Sequence, residues 1–151
     1  MIDGVKIKEI KKHFDDRGFF AEIIKFGEDT FKEIKQTSYT ETYPAVIKAF
    51  HWHKQQFDIW FPVKGSIRIV LYDLREDSPT YKETQVIYAG EDNPLVVLIP
   101  PGVAHGYQVL GSEKAGLFYH TSDAYNPNEP DEFRIPFDDK KINFDWQTKN
   151  R

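Results

Sequence analysis

Ser66-Ile67-Arg68-Ile69-Val70-Leu71-Tyr72 is the stretch on which the fold turns. Side chains alternate across a strand, so Ile67, Ile69 and Leu71 share one face while Ser66, Arg68 and Val70 share the other. This pattern predicts a strand packed on one side. Gly65 closes a turn just before it, and beyond that glycine Phe57–Val63 is another run rich in β-branched and aromatic residues. Further out lie Phe19–Ile24 and Val46–His51 on one side, and Thr84–Tyr88, Leu95–Ile99, His105–Leu110 and Leu117–Thr121 on the other. Many short strands with Gly and Pro between them predict an all-β sandwich or barrel. Pro62 cannot donate to a ladder and predicts an edge position or a bulge. Helical patterning is scarce: Glu28–Lys35, with Phe31 and Ile34 three apart, predicts a short peripheral helix, and Asp138–Trp146 fits helix or loop.

The composition narrows the function. A chain of 151 residues with glycine and proline spread throughout is expected to be one domain, 1–151. Its 12 Phe, 8 Tyr and 3 Trp supply bulk for a core and exclude disorder. A net charge of -4 without a Lys/Arg block excludes a protein that wraps nucleic acid, though a basic pocket for one small anion fits. The absence of cysteine excludes disulfides, thiolate metal sites, iron–sulfur clusters and cysteine nucleophiles, and fits a reducing cytoplasm. Met1 to Lys12 is charged and lacks the apolar centre of a secretion signal, and Leu95 to Pro101 is too short to span a bilayer. A cytoplasmic protein without membrane or nucleic-acid partners is expected.

The histidines are His13, His51, His53, His105 and His120. His51 and His53 are two apart on a strand and point to one face. Asp58 and Gly65 follow, and Pro100-Pro101-Gly102-Val103-Ala104-His105 places another histidine after a turn. The spacing His-x-His-x4-Asp-x6-Gly with Pro-x-Gly-x2-His resembles the two motifs of the cupin superfamily, small barrels of two packed antiparallel sheets. Inward positions of a barrel converge, so His51, His53, Asp58 and His105 can coordinate iron, manganese or zinc, or line a metal-free pocket with one histidine as base.

A second resemblance covers nearly the whole chain. Asp15-Asp16-Arg17-Gly18-Phe19-Phe20-Ala21-Glu22 resembles the Asp-x-Arg-Gly-x-Phe-x-Glu segment of the dTDP-4-dehydrorhamnose 3,5-epimerase family. Gln36-Thr37-Ser38-Tyr39-Thr40, Val46-Ile47-Lys48-Ala49-Phe50-His51 and Tyr72-Asp73-Leu74-Arg75 with Ser78-Pro79-Thr80 follow in the family's order. So do Ile99 to Tyr107, Tyr119 to Tyr125, and Phe133-Arg134-Ile135-Pro136-Phe137-Asp138-Asp139. The resemblance implies a jelly-roll barrel with short peripheral helices and an isomerase acting on a dTDP-linked 4-keto-6-deoxyhexose in rhamnose or surface-polysaccharide synthesis. A ketone at C4 acidifies the protons at C3 and C5, so one base and one opposed acid suffice. The resemblance makes His51 the base and Tyr119 the acid; an imidazole near pKa ~6.5 is mostly free to accept at neutral pH, and a phenol near ~10 keeps its proton. Arg17, Phe20 and Glu22 are then the nucleotide-reading segment of an N-terminal strand arm, about residues 1–40, that enters the neighbouring subunit's site in a homodimer. Gln36, Lys48, His53, His105 and Tyr125 complete the substrate-binding set, Lys48 keeping the charge of the family's arginine without its bidentate fork. His13 and His120 are expected to be ordinary surface or packing residues.

Three departures bear on the chemistry. The loop after His51 is about three residues shorter than in the family, and Asp58 stands near where a lysine would hold the enolate oxygen. The chain stops before the segment whose aspartate orients the base, which leaves Asp58 or Asp73 as the expected substitute. His51-Trp52-His53 also resembles the sugar-nucleotide 3,4-ketoisomerases. The leading expectation is an isomerase without cofactor or stoichiometric metal, because a metal on His51 would occupy the lone pair a base needs. The alternatives are a 3,4-ketoisomerase, a metal-dependent cupin using His51, His53, Asp58 and His105, and a sugar-nucleotide-binding protein without turnover.

Overall fold

A computed structural model of the chain describes residues 1–149. In chain order its strands are β1 (Lys6–Glu9), β2 (His13–Asp15), β3 (Gly18–Phe20), β4 (Gln36–Thr42), β5 (Ile47–Trp52) and β6 (Asp58–Lys64). They continue with β7 (Ser66–Asp73), β8 (Thr84–Gly90), β9 (Leu95–Ile99), β10 (Val103–Leu110), β11 (Ala115–Thr121) and β12 (Phe133–Arg134). Two antiparallel sheets face each other in a jelly-roll arrangement, one in the order β1-β9-β6-β11-β4 and the other β12-β5-β10-β7-β8. β2 and β3 form a separate hairpin.

Ile67, Ile69 and Leu71 point between the sheets and are fully buried, with Trp60, Val97, Ile99, Tyr107, Val109 and Leu117 around them. Each such aliphatic side chain contributes about 2 kcal/mol by leaving water. The expectation that β7 is packed on one side does not hold. Val70 on its outer face is also buried, in a cluster with Phe50, Ala104, Ile142 and Trp146, because the chain after β12 runs back over the sheet. Arg68 on that face lies under the rings of Phe144 and Trp146, 5.5 and 6.0 Å from their centroids. The other sheet is covered on its outside by Ala21, Ile23, Ile24 and Ile34, packed on Ile10, Ile59, Val96 and Leu98.

No helix occurs among the described residues, so the expected peripheral helices are absent. Glu28–Lys35 opens with turns, Phe31 N–H donating to the Glu28 carbonyl at 2.9 Å, and then runs so that Ile34 packs on the sheet and Lys35 N–H reaches the Thr121 carbonyl. A helix so short gains too little to offset its nucleation against those contacts. Asp138–Trp146 is likewise turn and loop, with the Asp139 carboxylate accepting from the Lys141 and Ile142 N–H groups. In Phe19–Ile24 the strand ends at Phe20. Pro62 sits at a bulge but not at an edge: β6 is the middle strand of its sheet, it pairs with β9 only through Asp58–Trp60, and its register with β11 shifts beside Pro62. A second bulge lies between β10 and β5, where a Cβ on Gly106 would sit 2.3 Å from the Ala49 Cβ. Only glycine allows that approach, and the register beyond it sets His51 opposite His105.

Asp73, at the end of β7, is fully buried. Its carboxylate accepts from Arg75 Nε at 2.8 Å, Ser78 Oγ at 2.6 Å and Thr80 Oγ1 at 2.7 Å. It braces a turn and does not orient His51, which corrects one expectation. Burial pushes this carboxyl up, but Arg75, Ser78 and Thr80 outweigh it and hold it well below the usual carboxylate range. A depressed folded-state pKa stabilises the protein above the unfolded value near ~4, and that contribution is lost as pH falls below it. Asp73→Ala, which removes the shared acceptor of Arg75, Ser78 and Thr80, is expected to cost about 1–3 kcal/mol. Denaturant unfolding at neutral pH checks this; a loss under about 1 kcal/mol contradicts it.

Candidate active site

The two sheets open at one end into a cavity of about 520 Å³. β5 contributes Lys48 and His51, with His53 just beyond its end; β6 gives Asp58 and Trp60, and β10 gives His105 and Tyr107. Tyr119 and Thr121 enter from β11, Gln36 and Thr40 from β4, and the segment from Asp123 to Glu132 forms a wall that includes Tyr125. His51 and Tyr119 therefore reach one cavity from opposite sheets.

β12 pairs with β5 so that Arg134 lies opposite His51, which brings the preceding Glu132 alongside the imidazole. His51 Nδ1 donates to Glu132 Oε1 at 2.6 Å, leaving Nε2 as the free lone pair. Arg134 lies 3.7 Å from the same carboxylate. Glu132 therefore occupies the place expected of Asp58 or Asp73. Its neighbour Asp131 accepts backbone N–H groups of Lys54, Gln55 and Gln56 at 2.7, 2.8 and 3.0 Å, fixing the loop after His53, and its carbonyl accepts from His53 Nδ1. The only sequence signal for this pair was its acidity beside the Phe133-Arg134 tail motif.

Asp58 touches His53 and His105 instead of His51: its oxygens lie 3.5 Å from each Nε2. Burial pushes His53 down, but Asp58 and the Asp131 carbonyl more than reverse this and leave it above the ordinary imidazole value. Burial pushes Asp58 up, and the two histidines with Gln56 more than reverse that, leaving it low. His105 is dominated by burial, which lowers it to about 4.

Of the other expected binding residues, Gln36 accepts the Tyr125 N–H at 2.9 Å, Lys48 donates to Thr40 Oγ1 at 3.0 Å, and both line the cavity. Arg17, Phe20 and Glu22 do not line it. Arg17 is paired with Asp15, and Glu22 with Lys25 at 3.4 Å. His13 lies exposed on the hairpin, and His120 accepts from or donates to Thr37 Oγ1 at 2.9 Å outside the cavity.

The sequence profile of dTDP-4-dehydrorhamnose 3,5-epimerases matches residues 1–151. The chain belongs to this family. Among its relatives, the spore coat polysaccharide biosynthesis protein SpsL of Bacillus subtilis (strain 168) is 55% identical over 151 residues, covering 100% of both chains. The probable low-salt glycan biosynthesis epimerase Agl13 of Haloferax volcanii is 35% identical, over 98% of this chain and 96% of its own. A crystal structure of dTDP-6-deoxy-D-glucose-3,5-epimerase from Legionella pneumophila Philadelphia 1, in complex with dTDP-4-keto-L-rhamnose, superposes with a TM-score of 0.86 at 29% identity, covering 99% of this chain and 82% of that one. Membership of the dTDP-4-dehydrorhamnose 3,5-epimerase family makes the chain an enzyme of the dTDP-sugar epimerase type. Among its described residues no helix is long and apolar enough to cross a membrane.

Proposed function

We propose that this enzyme epimerises a dTDP-linked 4-keto-6-deoxyhexose beside the ketone, in the cytoplasm, in making a deoxysugar for a surface polysaccharide. The observation that carries the reading is a histidine with one nitrogen fixed by a carboxylate at 2.6 Å and a phenol that enters the same cavity from the opposite sheet. His51 Nε2 takes the proton from the carbon next to the ketone, and the electron pair moves into the carbonyl as an enolate. Glu132 holds the tautomer and balances the imidazolium that results. Tyr119 then returns a proton to the other face, which inverts the centre. In this reading Lys48, which lines the cavity, is the cation for the diphosphate, Gln36 and Tyr125 hold the nucleotide, and Arg17, Phe20 and Glu22 serve the site of a second copy in a homodimer. The cysteine-free composition supports the cytoplasmic assignment.

Incubating the 4-keto sugar nucleotide with the enzyme in deuterated water, read by NMR, tests this. Deuterium at C3, at C5 or at both, with inversion, is the expected result. Absence of label at both carbons overturns it, and a product whose carbonyl has moved to C3 points to a ketoisomerase.

A further inference from the structure

His53 is only two residues from the base, yet it belongs to a different group of atoms. Its Nε2 lies 3.5 Å from one oxygen of Asp58, and His105 Nε2 lies 3.5 Å from the other. All three side chains are buried at the floor of the cavity. Each imidazole has Nδ1 committed to a backbone carbonyl, His53 to that of Asp131 and His105 to that of Val103 at 3.0 Å. A carbonyl only accepts, so each Nδ1 carries the hydrogen and each neutral ring turns its Nε2 lone pair toward the carboxylate. The result is three electron-pair donors within 4.8 Å of one another.

Each histidine stands at a ligand-to-ligand distance from one of the two carboxylate oxygens. A separation of 3.5 Å is too long for a good hydrogen bond, but two tetrahedral ligands each about 2.1 Å from a zinc-like ion lie about 3.4 Å apart. The carboxylate is braced by Gln56 Nε2 at 2.8 Å and Trp60 Nε1 at 3.2 Å, the kind of outer hydrogen bonds that orient a metal-binding carboxylate. The Gln56 amide nitrogen also lies 3.3 Å from His53 Nε2, on the lone pair that an ion would take.

We propose that His53, Asp58 and His105 bind a divalent transition-metal ion, with His51 outside the ligand set. The objection that a metal would occupy the base's lone pair no longer applies, because His51 is held separately by Glu132. Two imidazoles and one carboxylate suit zinc, iron, manganese or cobalt and leave positions open toward the cavity. Resting on the epimerase reading, the ion's task is to polarise the C4 carbonyl oxygen and stabilise the enolate. It restores a positive charge close to where the family resemblance places a lysine and this chain has Asp58.

The test is metal binding by the whole protein, stripped with a chelator, dialysed and titrated with cobalt(II), read by visible absorption and by calorimetry. One equivalent is expected in the wild type and in His51→Ala, with affinity at least about tenfold weaker in His53→Asn and in Asp58→Asn. Deuterium exchange into substrate should fall on stripping and return when the ion is restored. No saturable cobalt site in the wild type, equal affinity in His53→Asn and Asp58→Asn, loss of the ion in His51→Ala, or parent-rate exchange in stripped protein each overturns the proposal. Cobalt bound as expected with no exchange in either form instead counts against the epimerase reading and leaves the site standing.

Discussion

His51→Ala is expected to abolish deuterium exchange at every substrate carbon that the wild type labels, and to lower turnover by about 10²–10⁴-fold. Exchange requires only that a base remove the proton and that the base's own proton be replaced from solvent. Inversion requires in addition a donor on the other face. Tyr119→Phe, which keeps the ring and removes the O–H, is therefore expected to retain part of the exchange while losing inversion. Glu132→Gln should fall between the wild type and His51→Ala, because the amide preserves the contact at 2.6 Å but removes the charge that balances the imidazolium. Steady-state turnover and NMR on the same samples separate these outcomes. An alanine variant that exchanges at the parent rate shows that another group is the base, and a phenylalanine variant that inverts normally removes Tyr119 from the acid's role.

What could be read in the sequence was what had a short period. Alternation in Ser66–Tyr72 marks β7 and its inner face; of the two histidines read as one strand's pair, His51 lies on β5 and His53 just past its end. β4 was missed because Gln36–Thr42 contains almost no apolar side chain: it is an edge strand that alternates half-buried and exposed polar residues, with Gln36 and Thr40 turned to the cavity. β1 was missed because four residues, Lys6–Glu9, carry no pattern of their own and become a strand by pairing with β9. The covered outer face of β7 depends on Ile142 and Trp146, which arrive after the whole barrel has been built. Glu132 was equally invisible, since it meets His51 across 81 residues of chain. The motif spacing brings His53, Asp58 and His105 together as read; it could not disclose that Asp58 leaves His51 aside, because the cross-strand packing gives its two oxygens to His53 and His105.

A mixture of two inactive variants, Arg17→Ala and His51→Ala, is expected to recover activity once subunits have exchanged. The hairpin of β2 and β3 explains why. It leaves Phe14 72%, Phe19 56% and Phe20 67% exposed, and the Arg17 side chain 84% exposed, while none of these lines the chain's own cavity. An isolated two-stranded hairpin is marginal in water, and a cluster of exposed aromatics marks a surface that another molecule covers. On the proposed reading, in which Arg17, Phe20 and Glu22 serve the nucleotide of a neighbouring site, that molecule is a second copy of the chain. In a mixed dimer one site then lacks both the base and the arginine, and the other has His51 from one subunit and Arg17 from its partner. Random exchange of equal amounts makes half of the dimers mixed, so about a quarter of all sites are restored. If each hairpin served its own cavity, every site in every mixture would carry one defect and no activity would return. Sedimentation of the wild type as a monomer, or exchanged mixtures no more active than the separate variants, would count against the shared site.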